Sequence, residues 1–335
     1  MQAEKILEVE NLVTSFRTER GTMKAVDGVS FFVQKGEMLG IVGESGCGKS
    51  VTSQSIMRLY DEKYLATIQG KVILDDQNLL DLPLKKMQSI RGNKVSMVFQ
   101  DALSALNPVE TVGSQIVEAI RIHKKVSKKE AKKKALEMMR LVGIPAYDER
   151  FFDYPHQLSG GMRQRIMIAI ALSCEPKLLI ADEPTTALDV TIQAQIMDLM
   201  VSLNKRLGMS VMLITHDLAV VAETCSRVIV MYLGQIVEEA EVKDIFENAA
   251  HPYTQGLMNS IPKLEDERKR LYVIKGTVPL LNQIPMGCRF APRCPHATEK
   301  CTHEMPQLVS IGDKHNVRCW YPEEKGSNLN DTNKE

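Results

Sequence analysis

The chain has no uninterrupted apolar stretch close to the roughly 20 residues that a membrane-spanning helix requires. Its richest apolar run, Ile166 to Leu172, is far shorter than that. Residues 1–5 also lack the basic start and following apolar stretch of a signal peptide. The sequence therefore predicts a cytoplasmic protein that reaches a membrane only through partner chains.

The chain also lacks net charge, because Lys plus Arg and Asp plus Glu both number 42. This balance argues against the broad basic surface of a nucleic-acid binder. Internal repeats and heptad stretches are missing as well, which argues against a repeat array or a long coiled coil. One basic run, His123 to Lys134, interrupts the even charge distribution. We interpret it as a solvated helix face, with contact to anionic lipid as the alternative.

Strand-like and helical patterns alternate along most of the chain. Leu7 and Val9 alternate with acidic residues, and Val29 to Val33 and Met38 to Val42 are β-rich runs. Two apolar strands, Leu178 to Ala181 and Val211 to Ile214, are separated by a helical pattern. Its apolar positions are Ile192, Ile196, Leu199, Met200 and Leu203. The alternation predicts an α/β core with a largely parallel sheet.

A glycine-rich loop, Gly43-Glu-Ser-Gly-Cys-Gly-Lys-Ser50, has the spacing G-x-x-x-x-G-K-[ST] between a strand pattern and a helical pattern. Its glycines let backbone N–H groups curl round a phosphate, and the helix N-terminus behind them adds positive potential. Lys49 can reach the terminal phosphates, and Ser50 can offer its hydroxyl to Mg²⁺. The predicted ATP-binding residues of this loop are Gly43, Glu44, Ser45, Gly46, Cys47, Gly48, Lys49, Ser50 and Val51.

An acidic pair, Asp182 and Glu183, directly follows the apolar strand pattern at Leu178 to Ala181. Asp182 would hold Mg²⁺, through water, and Glu183 would orient and activate the attacking water. Many buried strands end in Asp, so the pair acquires this meaning from its combination with the glycine-rich loop. Together the two motifs predict a nucleoside triphosphatase.

The segment Leu158-Ser-Gly-Gly-Met-Arg-Gln-Arg165 resembles the signature sequence of ABC ATPases, and it precedes the acidic pair as that family requires. Ser159 and two glycines open a helix, which makes a second anion-binding N-terminus. Met162 stands where the family more often has Gln. We expect little effect, because Ser159 and the glycine backbone make the phosphate contact. The resemblance assigns four residues to the ATP of a facing subunit: Ser159, Gly160, Gly161 and Gln164.

Four further positions resemble landmarks of the same family. Gln100 is similar to the glutamine that contacts Mg²⁺ and senses the membrane partner, and Asp189 ends the loop that crosses the dimer interface. His216 is similar to the switch histidine at the γ-phosphate, and Phe16 to the aromatic residue that stacks on adenine. The resemblance implies Lys49, Glu183 and His216 as catalytic residues and Ser50, Gln100 and Asp182 as Mg²⁺ ligands.

Three features resemble the ATP-binding subunits of oligopeptide and dipeptide importers. The segment His251-Pro-Tyr-Thr-Gln-Gly-Leu257 resembles their C-terminal extension, Tyr154 to Arg163 resembles their core, and the cysteine-rich end fits the same group. The resemblance implies short peptides as cargo, with nickel or another small solute as the alternative. A soluble ABC ATPase of translation or DNA repair usually carries two cassettes or a long coiled coil, and this sequence has neither.

The family resemblance also implies an assembly at the cytoplasmic face of the cell membrane. Two ATPase subunits face each other head to tail and trap two ATP molecules, each between the phosphate loop of one chain and the signature helix of the other. The second ATPase subunit is a paralogue in this subfamily. The remaining partners are two membrane permeases and an extracytoplasmic peptide-binding protein.

Four of the seven cysteines lie near the C-terminus, with the spacing Cys288-x5-Cys294-x6-Cys301-x17-Cys319. Clustered thiols in a cytosolic protein indicate a Cys₄ metal site rather than disulfides. The spacing matches neither the usual zinc pair nor the common ferredoxin patterns. The resembling importer subunits carry a [4Fe–4S] cluster here, which favours that cofactor. A zinc site completed by His296 and His303 is the alternative.

These patterns predict an α/β fold with the P-loop NTPase core of an ABC ATPase. A β-rich subdomain begins the cassette, which covers residues 1–260, and a helical subdomain occupies about residues 102–165. A small Cys-rich accessory domain follows at 261–321, and a polar tail that we expect to be mobile occupies 322–335.

Overall fold

A computed structural model describes residues 4–19, 21–186, 188–261 and 272–322. Its strands, in chain order, are β1 (Lys5–Thr18), β2 (Gly21–Gln34), β3 (Met38–Val42), β4 (Ala66–Leu74), β5 (Gln77–Asn78), β6 (Val95–Val98), β7 (Leu178–Asp182), β8 (Ser210–Ile214), β9 (Arg227–Tyr232), β10 (Gln235–Glu241), β11 (Val309–Gly312) and β12 (His315–Val317).

The helices, in chain order, are α1 (Lys49–Ile56), α2 (Leu84–Ile90), α3 (Ala102–Ala105), α4 (Val112–His123), α5 (Lys128–Leu141), α6 (Tyr147–Arg150), α7 (Gly160–Leu172), α8 (Val190–Leu207), α9 (Leu218–Thr224), α10 (Val242–Asn248), α11 (Pro252–Asn259) and α12 (Glu299–His303). Short 3₁₀ helices occupy Pro155–Gln157 and Ala291–Arg293.

The N-terminal sheet is antiparallel and has the strand order β2-β1-β4-β5. In β1, Leu7 and Val9 are buried, whereas Glu8 and Glu10 are only partly covered. This period of two is what a strand needs when one face covers a core. The buried face packs in one cluster with β3 and with Ile56 at the end of α1. The sheet therefore supports the helix that follows the phosphate loop.

The central sheet has the strand order β11-β12-β10-β9-β3-β8-β7-β6. From β9 to β6 its strands pair in parallel, and their residues are buried throughout. Parallel strands that are covered on both faces require apolar residues along their whole length. Because such strands end at the same edge, the residues that follow β3, β7 and β8 meet there. The sheet thus creates a ligand-binding edge.

Between β6 and β7 the chain is mainly helical. The helices α4, α5 and α7 share a core with α8, and α5 begins with a capping box between Ser127 and Glu130. Ala131 and Ala135 face the core, while Lys132 on the other side is exposed. The basic residues of α5 therefore lie on the side of the helix that faces away from this core.

Residues 272–322, which we call the C-terminal segment, join the central sheet rather than standing apart from it. β12 pairs with β10 and β11 pairs with β12, so the segment extends one edge of the sheet. Phe290 is buried, and its ring centroid lies 5.3 Å from those of both Tyr232 and Tyr253. The accessory region expected from the sequence therefore shares a core with the cassette, because its apolar side chains bury against β9 and α11.

The structure confirms the predicted strands at Met38 to Val42, Leu178 to Ala181 and Val211 to Ile214. The helical pattern between the last two is also confirmed, since α8 buries Ile196, Met200 and Leu203. The predicted mobile tail lies outside the described residues from position 323 onwards, as do residues 262–271. None of the helices in the described ranges is both long enough and apolar enough to cross a membrane.

Truncating Phe290 to alanine should lower the free energy of unfolding by about 3 kcal/mol, because it removes a buried ring shared by the C-terminal segment and β9. Urea denaturation of the full chain measures this change. Met286→Ala is the matched control, because Met286 lies in the same segment but is 88% exposed, and it should change stability by less than about 0.5 kcal/mol. Equal urea midpoints for the Phe290→Ala and Met286→Ala variants would show that the C-terminal segment does not share a core with the cassette.

Candidate functional site

The glycine-rich loop turns sharply between β3 and α1. Gly43 has φ of 149°, and a Cβ atom there would lie 2.3 Å from the carbonyl oxygen of Met231. Gly48, the N-cap of α1, has φ of 100°. Glycine is required at these positions because other residues rarely adopt such positive φ angles and because their Cβ atoms would clash with neighbouring backbone atoms. The turn aims the N-terminus of α1, with its free N–H groups, at the sheet edge where an anion can bind.

Lys49 lies across this loop. Its Nζ atom donates hydrogen bonds to the carbonyl oxygens of Gly43 (2.7 Å) and Glu44 (3.1 Å), and the residue is buried. A buried ammonium beside the N-terminus of α1 is suited to the charge of terminal phosphates. Cys47 is also buried, which raises the pKa of its thiol. Cys47 therefore remains a neutral packing residue.

The predicted Mg²⁺ ligands from the loop and from β7 meet at the sheet edge. The Ser50 hydroxyl donates to Oδ1 of Asp182 at 2.9 Å, and Ser53 donates to Oδ2 at 3.4 Å. Burial raises the pKa of Asp182. Burial and the nearby Asp182 charge raise the pKa of Tyr60 to about 12. A desolvated carboxylate among hydroxyl oxygens fits Mg²⁺, which prefers oxygen ligands and would offset the buried charge.

Glu183 is held by three side chains at the end of β7. Its Oε2 atom accepts hydrogen bonds from Gln100 Nε2 (3.1 Å) and Thr186 Oγ1 (2.9 Å), and its Oε1 atom lies 3.4 Å from His216 Nδ1. Glu183 has φ of 47°, and its N–H donates to the carbonyl oxygen of Ile214 at 2.8 Å. A left-handed backbone is strained for a non-glycine residue and is often found at functional sites. The carboxylate is therefore fixed in the position that a general base needs.

Sequence reasoning missed Thr186 and Tyr60 as members of this site. Thr186 follows Glu183 by three residues within Asp182-Glu-Pro-Thr-Thr186, so a short-range hydroxyl near the base was visible in the sequence. Tyr60 carries no such signal, because it approaches Asp182 only through folding. Phe16, the predicted adenine-stacking residue, is half-buried and packs edge-on against Tyr60 with ring centroids 4.9 Å apart.

The signature residues lie on an exposed surface of the same chain. Ser159 is the N-cap of α7, where its Oγ accepts a hydrogen bond from the N–H of Met162 at 3.4 Å. Asp189 is the N-cap of α8, and its Oδ1 accepts from the N–H of Ile192 at 2.9 Å. The two helix starts touch, since a Cβ atom on Gly161 would lie 2.7 Å from Ile192. The signature turn and the predicted dimer loop therefore form one surface. Ala187, in that loop, lies outside the described residues.

Gln164 differs from the other signature residues because its side chain is buried within its own subunit, at 3% exposure. Within the described part of the chain, its Nε2 atom has no hydrogen-bond partner. One turn of α7 separates Gln164 from the exposed N-cap and turns it toward the interior. Its predicted contact with the ATP of a facing subunit is not supported by this position.

The four C-terminal cysteines line one small cavity, together with His251, Phe290 and His296 among other residues. Burial raises the pKa of Cys288 and, with help from the neighbouring thiols, that of Cys319 to about 11. Within the described ranges, however, no group of three or more His, Cys, Asp or Glu side chains is arranged to hold a metal ion. The predicted [4Fe–4S] ligands Cys288, Cys294, Cys301 and Cys319 therefore share a location, but they do not form a ligand set.

The geometry at the sheet edge can bind a terminal phosphate and direct a water molecule at it. Lys49 and the N-terminus of α1 supply positive charge, Ser50 and Asp182 offer oxygen ligands, and Glu183 is positioned as a base. This arrangement at the edge of a parallel sheet defines a P-loop nucleoside triphosphatase.

Comparisons with known proteins agree with this class and narrow it. Residues 26–186 match the ABC transporter family, and residues 237–301 match the oligopeptide/dipeptide transporter C-terminal region. The probable peptide ABC transporter ATP-binding protein y4tR of Sinorhizobium fredii is 55% identical over 320 residues, which cover 95% of this chain and 96% of that protein. The oligopeptide transport ATP-binding protein AppD of Bacillus subtilis is 51% identical over 322 residues, which cover 96% of this chain and 98% of that protein.

Solved structures show the same fold. A dimeric ATP-binding cassette in a post-hydrolysis state, bound to ADP and phosphate, superposes with a TM-score of 0.63 and 29% identity, covering 70% of this chain and 98% of that one. This chain belongs to the ATP-binding proteins of the ABC transporter family, and its relatives and its C-terminal region are those of the oligopeptide and dipeptide branch. It is an ATPase.

Replacing Glu183 by Gln should leave ATP binding unchanged and reduce hydrolysis by about 10²- to 10⁴-fold, because the amide cannot accept a proton from water. Nucleotide binding and phosphate release measure the two effects on the full chain. Glu223→Gln, on the exposed face of α9, is the control and should hydrolyse ATP normally. Unimpaired turnover in Glu183→Gln would assign the base to another residue.

Proposed function

We propose that this chain is the subunit that binds and hydrolyses ATP to power the uptake of short peptides through a membrane ABC transporter. The observation that carries the proposal is the match of residues 237–301 to the oligopeptide/dipeptide transporter C-terminal region. The names of the relatives agree, since several are peptide, dipeptide or oligopeptide transport ATP-binding proteins over nearly the full length of this chain. Cargo is selected by partner chains in this scheme.

In the proposed reaction, Lys49 and the N–H groups of α1 bind the terminal phosphates of ATP. Ser50 and Asp182 would hold Mg²⁺, with Gln100 as a further ligand, and the ion when bound neutralises phosphate charge. Glu183 orients a water molecule and accepts its proton, while His216 and Thr186 fix the carboxylate. Stabilisation by positioned charges, rather than covalent catalysis, lowers the barrier.

The exposed surface at Ser159 and Asp189 supports a head-to-tail pairing of two ATPase subunits. Neither residue contacts the phosphate loop through a hydrogen bond found in the described residues, so Ser159 is available to an ATP held by a facing chain. We propose that the facing chain is a paralogue and that the pair sits at the cytoplasmic face of the membrane. In this pairing, the start of α7 in one chain and the start of α1 in the other would both face the same ATP, and both helix starts can bind anions.

A groove on the surface of the helical region is the basis for proposing a contact with the membrane permeases. It lies between α4 and α5 and includes Ile122 and Phe152, which are 67% and 61% exposed. Arg121 and Lys132 add positive charge to its rim. Exposed apolar patches of this kind mark protein contacts. We propose that an amphipathic cytoplasmic segment of a permease occupies the groove and that an external peptide-binding protein delivers the cargo.

Membranes solubilised from cells that carry a tagged full chain test this assembly. We expect two permeases and a second ATPase subunit to co-purify with the wild-type chain, and Ile122→Glu to reduce their recovery at least about tenfold, because it places a charge in an apolar contact. Leu280→Glu is the matched control, because Leu280 is 65% exposed outside the groove, and its recovery should be normal. Co-purification of ribosomes or DNA in place of permeases would refute the transport function.

A metal site at the four C-terminal cysteines is a second part of the proposal. Its support is their common cavity and the preference of thiolates for iron–sulfur clusters and zinc. The thiols would need to converge to bind either group, and the metal would then cross-link the C-terminal segment. We favour a [4Fe–4S] cluster over zinc on the family resemblance.

Iron, zinc and acid-labile sulfide, measured per chain after anaerobic purification, test the metal site. We expect about four irons and four sulfides per chain, together with a visible absorption band. The Cys301→Ser variant should lose the iron, the sulfide and the band. Cys225→Ser is the control, since Cys225 lies outside the cavity. One zinc per chain without sulfide would show that the site binds zinc rather than a cluster. A chain that contains no metal and no sulfide would exclude the metal site.

A further inference from the structure

Glu44, the second residue of the phosphate loop, does not point its carboxylate at the nucleotide cleft. Its Oε2 atom accepts a hydrogen bond from Arg293 Nη1 at 2.6 Å, and its Oε1 atom accepts from Arg293 Nη2 at 3.0 Å. This is the bidentate pairing of a guanidinium with a carboxylate, which adds geometric specificity to the charge attraction. Arg293 belongs to the C-terminal segment, 249 residues further along the chain.

The backbone of Glu44 is held from the same side. Its N–H donates to the hydroxyl oxygen of Tyr253, at 2.8 Å, and Tyr253 is fully buried at the start of α11. Burial raises the pKa of Tyr253, which favours its neutral hydroxyl form. The main chain of Glu44 is therefore bound to α11, and its side chain is bound to the C-terminal segment.

Glu44 in turn anchors the lysine of the site. Lys49 Nζ donates to the carbonyl oxygen of Glu44 at 3.1 Å and to that of Gly43 at 2.7 Å. A shift of the loop at Glu44 would displace the ammonium that faces the terminal phosphates. A continuous path of hydrogen bonds thus runs from Arg293 and Tyr253 to Lys49.

Arg293 is itself rigidly placed. Its Nε donates to the carbonyl oxygen of Lys275 at 3.0 Å and its Nη2 to that of Gly276 at 3.3 Å, while its side chain is 4% exposed. Burial of the Arg293 side chain costs desolvation that offsets part of the attraction, so the net stability gained from the pair is small, and the pair fixes the relative positions of its two partners. One of those partners, Glu44, belongs to the phosphate loop.

We propose that Arg293 and Tyr253 are positioning residues for ATP, which set nucleotide affinity by holding Glu44 and, through it, Lys49. The C-terminal segment is then part of the nucleotide site although it touches no nucleotide. This inference rests on the ATP-hydrolysing function and is independent of the transported cargo.

Equilibrium ATP binding and steady-state hydrolysis by the full chain test the proposal. Arg293→Met should raise Kd and KM for ATP about tenfold, which corresponds to the loss of hydrogen bonds to a charged group. Its kcat should change less than twofold, because Arg293 contacts neither Glu183 nor its three partners. Arg293→Lys should give an intermediate KM, since an ammonium cannot pair with both carboxylate oxygens in the same way.

Arg318→Met is the matched control. Arg318 lies in the same segment and donates to the carbonyl oxygens of Ile236 and Pro306, away from the loop. Its loss should lower stability but leave KM unchanged. In the Glu44→Gln background, Arg293→Met should add less than a twofold change, because the pair is already broken.

Any one of three results would contradict the proposal. A normal KM in folded Arg293→Met, an equal rise in Arg318→Met, or independent effects of Arg293→Met and Glu44→Gln would show that Arg293 serves stability alone. Circular dichroism verifies folding of every variant at the assay temperature. A wild-type chain that binds ATP without hydrolysing it would refute the ATPase function, while the Kd values would still decide the positioning role.

Discussion

The parallel pairing of β3, β8 and β7 is the constraint on which the site depends. In this register Ile41 lies opposite Ile214, and Ile214 lies opposite Asp182. The phosphate loop, the acidic pair and His216 therefore leave the sheet at one edge. A slip of one residue in β7 would turn Asp182 to the other face of the sheet and away from Ser50. The burial of all three strands fixes the register, because each slip would carry a whole set of apolar side chains with it.

Local spacing made the centre of the site predictable. The loop from Gly43 to Ser50 and the pair Asp182 and Glu183 are each contiguous, and the apolar runs before them locate the strands that bring them together. Gln100 and His216 also follow buried strands, and both reach Glu183 in the fold. The family resemblance assigned their roles, and the common edge at which parallel strands end explains why the fold brings them near one another.

Contacts between distant parts of the chain could not be predicted in this way. Tyr253 is hydrogen-bonded to Glu44 although the two residues are 209 positions apart in the sequence, and no local sequence pattern at either residue predicts this contact. The proline and cysteine content of the C-terminal segment predicted a small accessory domain, but it did not indicate which part of the cassette the segment contacts. In the fold it covers the edge at β10, which would otherwise present unpaired backbone groups to solvent. The burial of Gln164 likewise depends on packing that its helical pattern does not reveal.

The separation of 249 residues between Glu44 and Arg293 also bears on how the protein is made. Translation proceeds from the N-terminus, so the phosphate loop leaves the ribosome long before Tyr253 and Arg293 have been synthesised. Until then the loop has its own bonds to Lys49 but neither of its distant anchors. The nascent chain can thus form the bonds from Tyr253 and Arg293 to Glu44 only when nearly all of it has been translated. A chain interrupted before Arg293 lacks the ion pair that holds the Glu44 side chain.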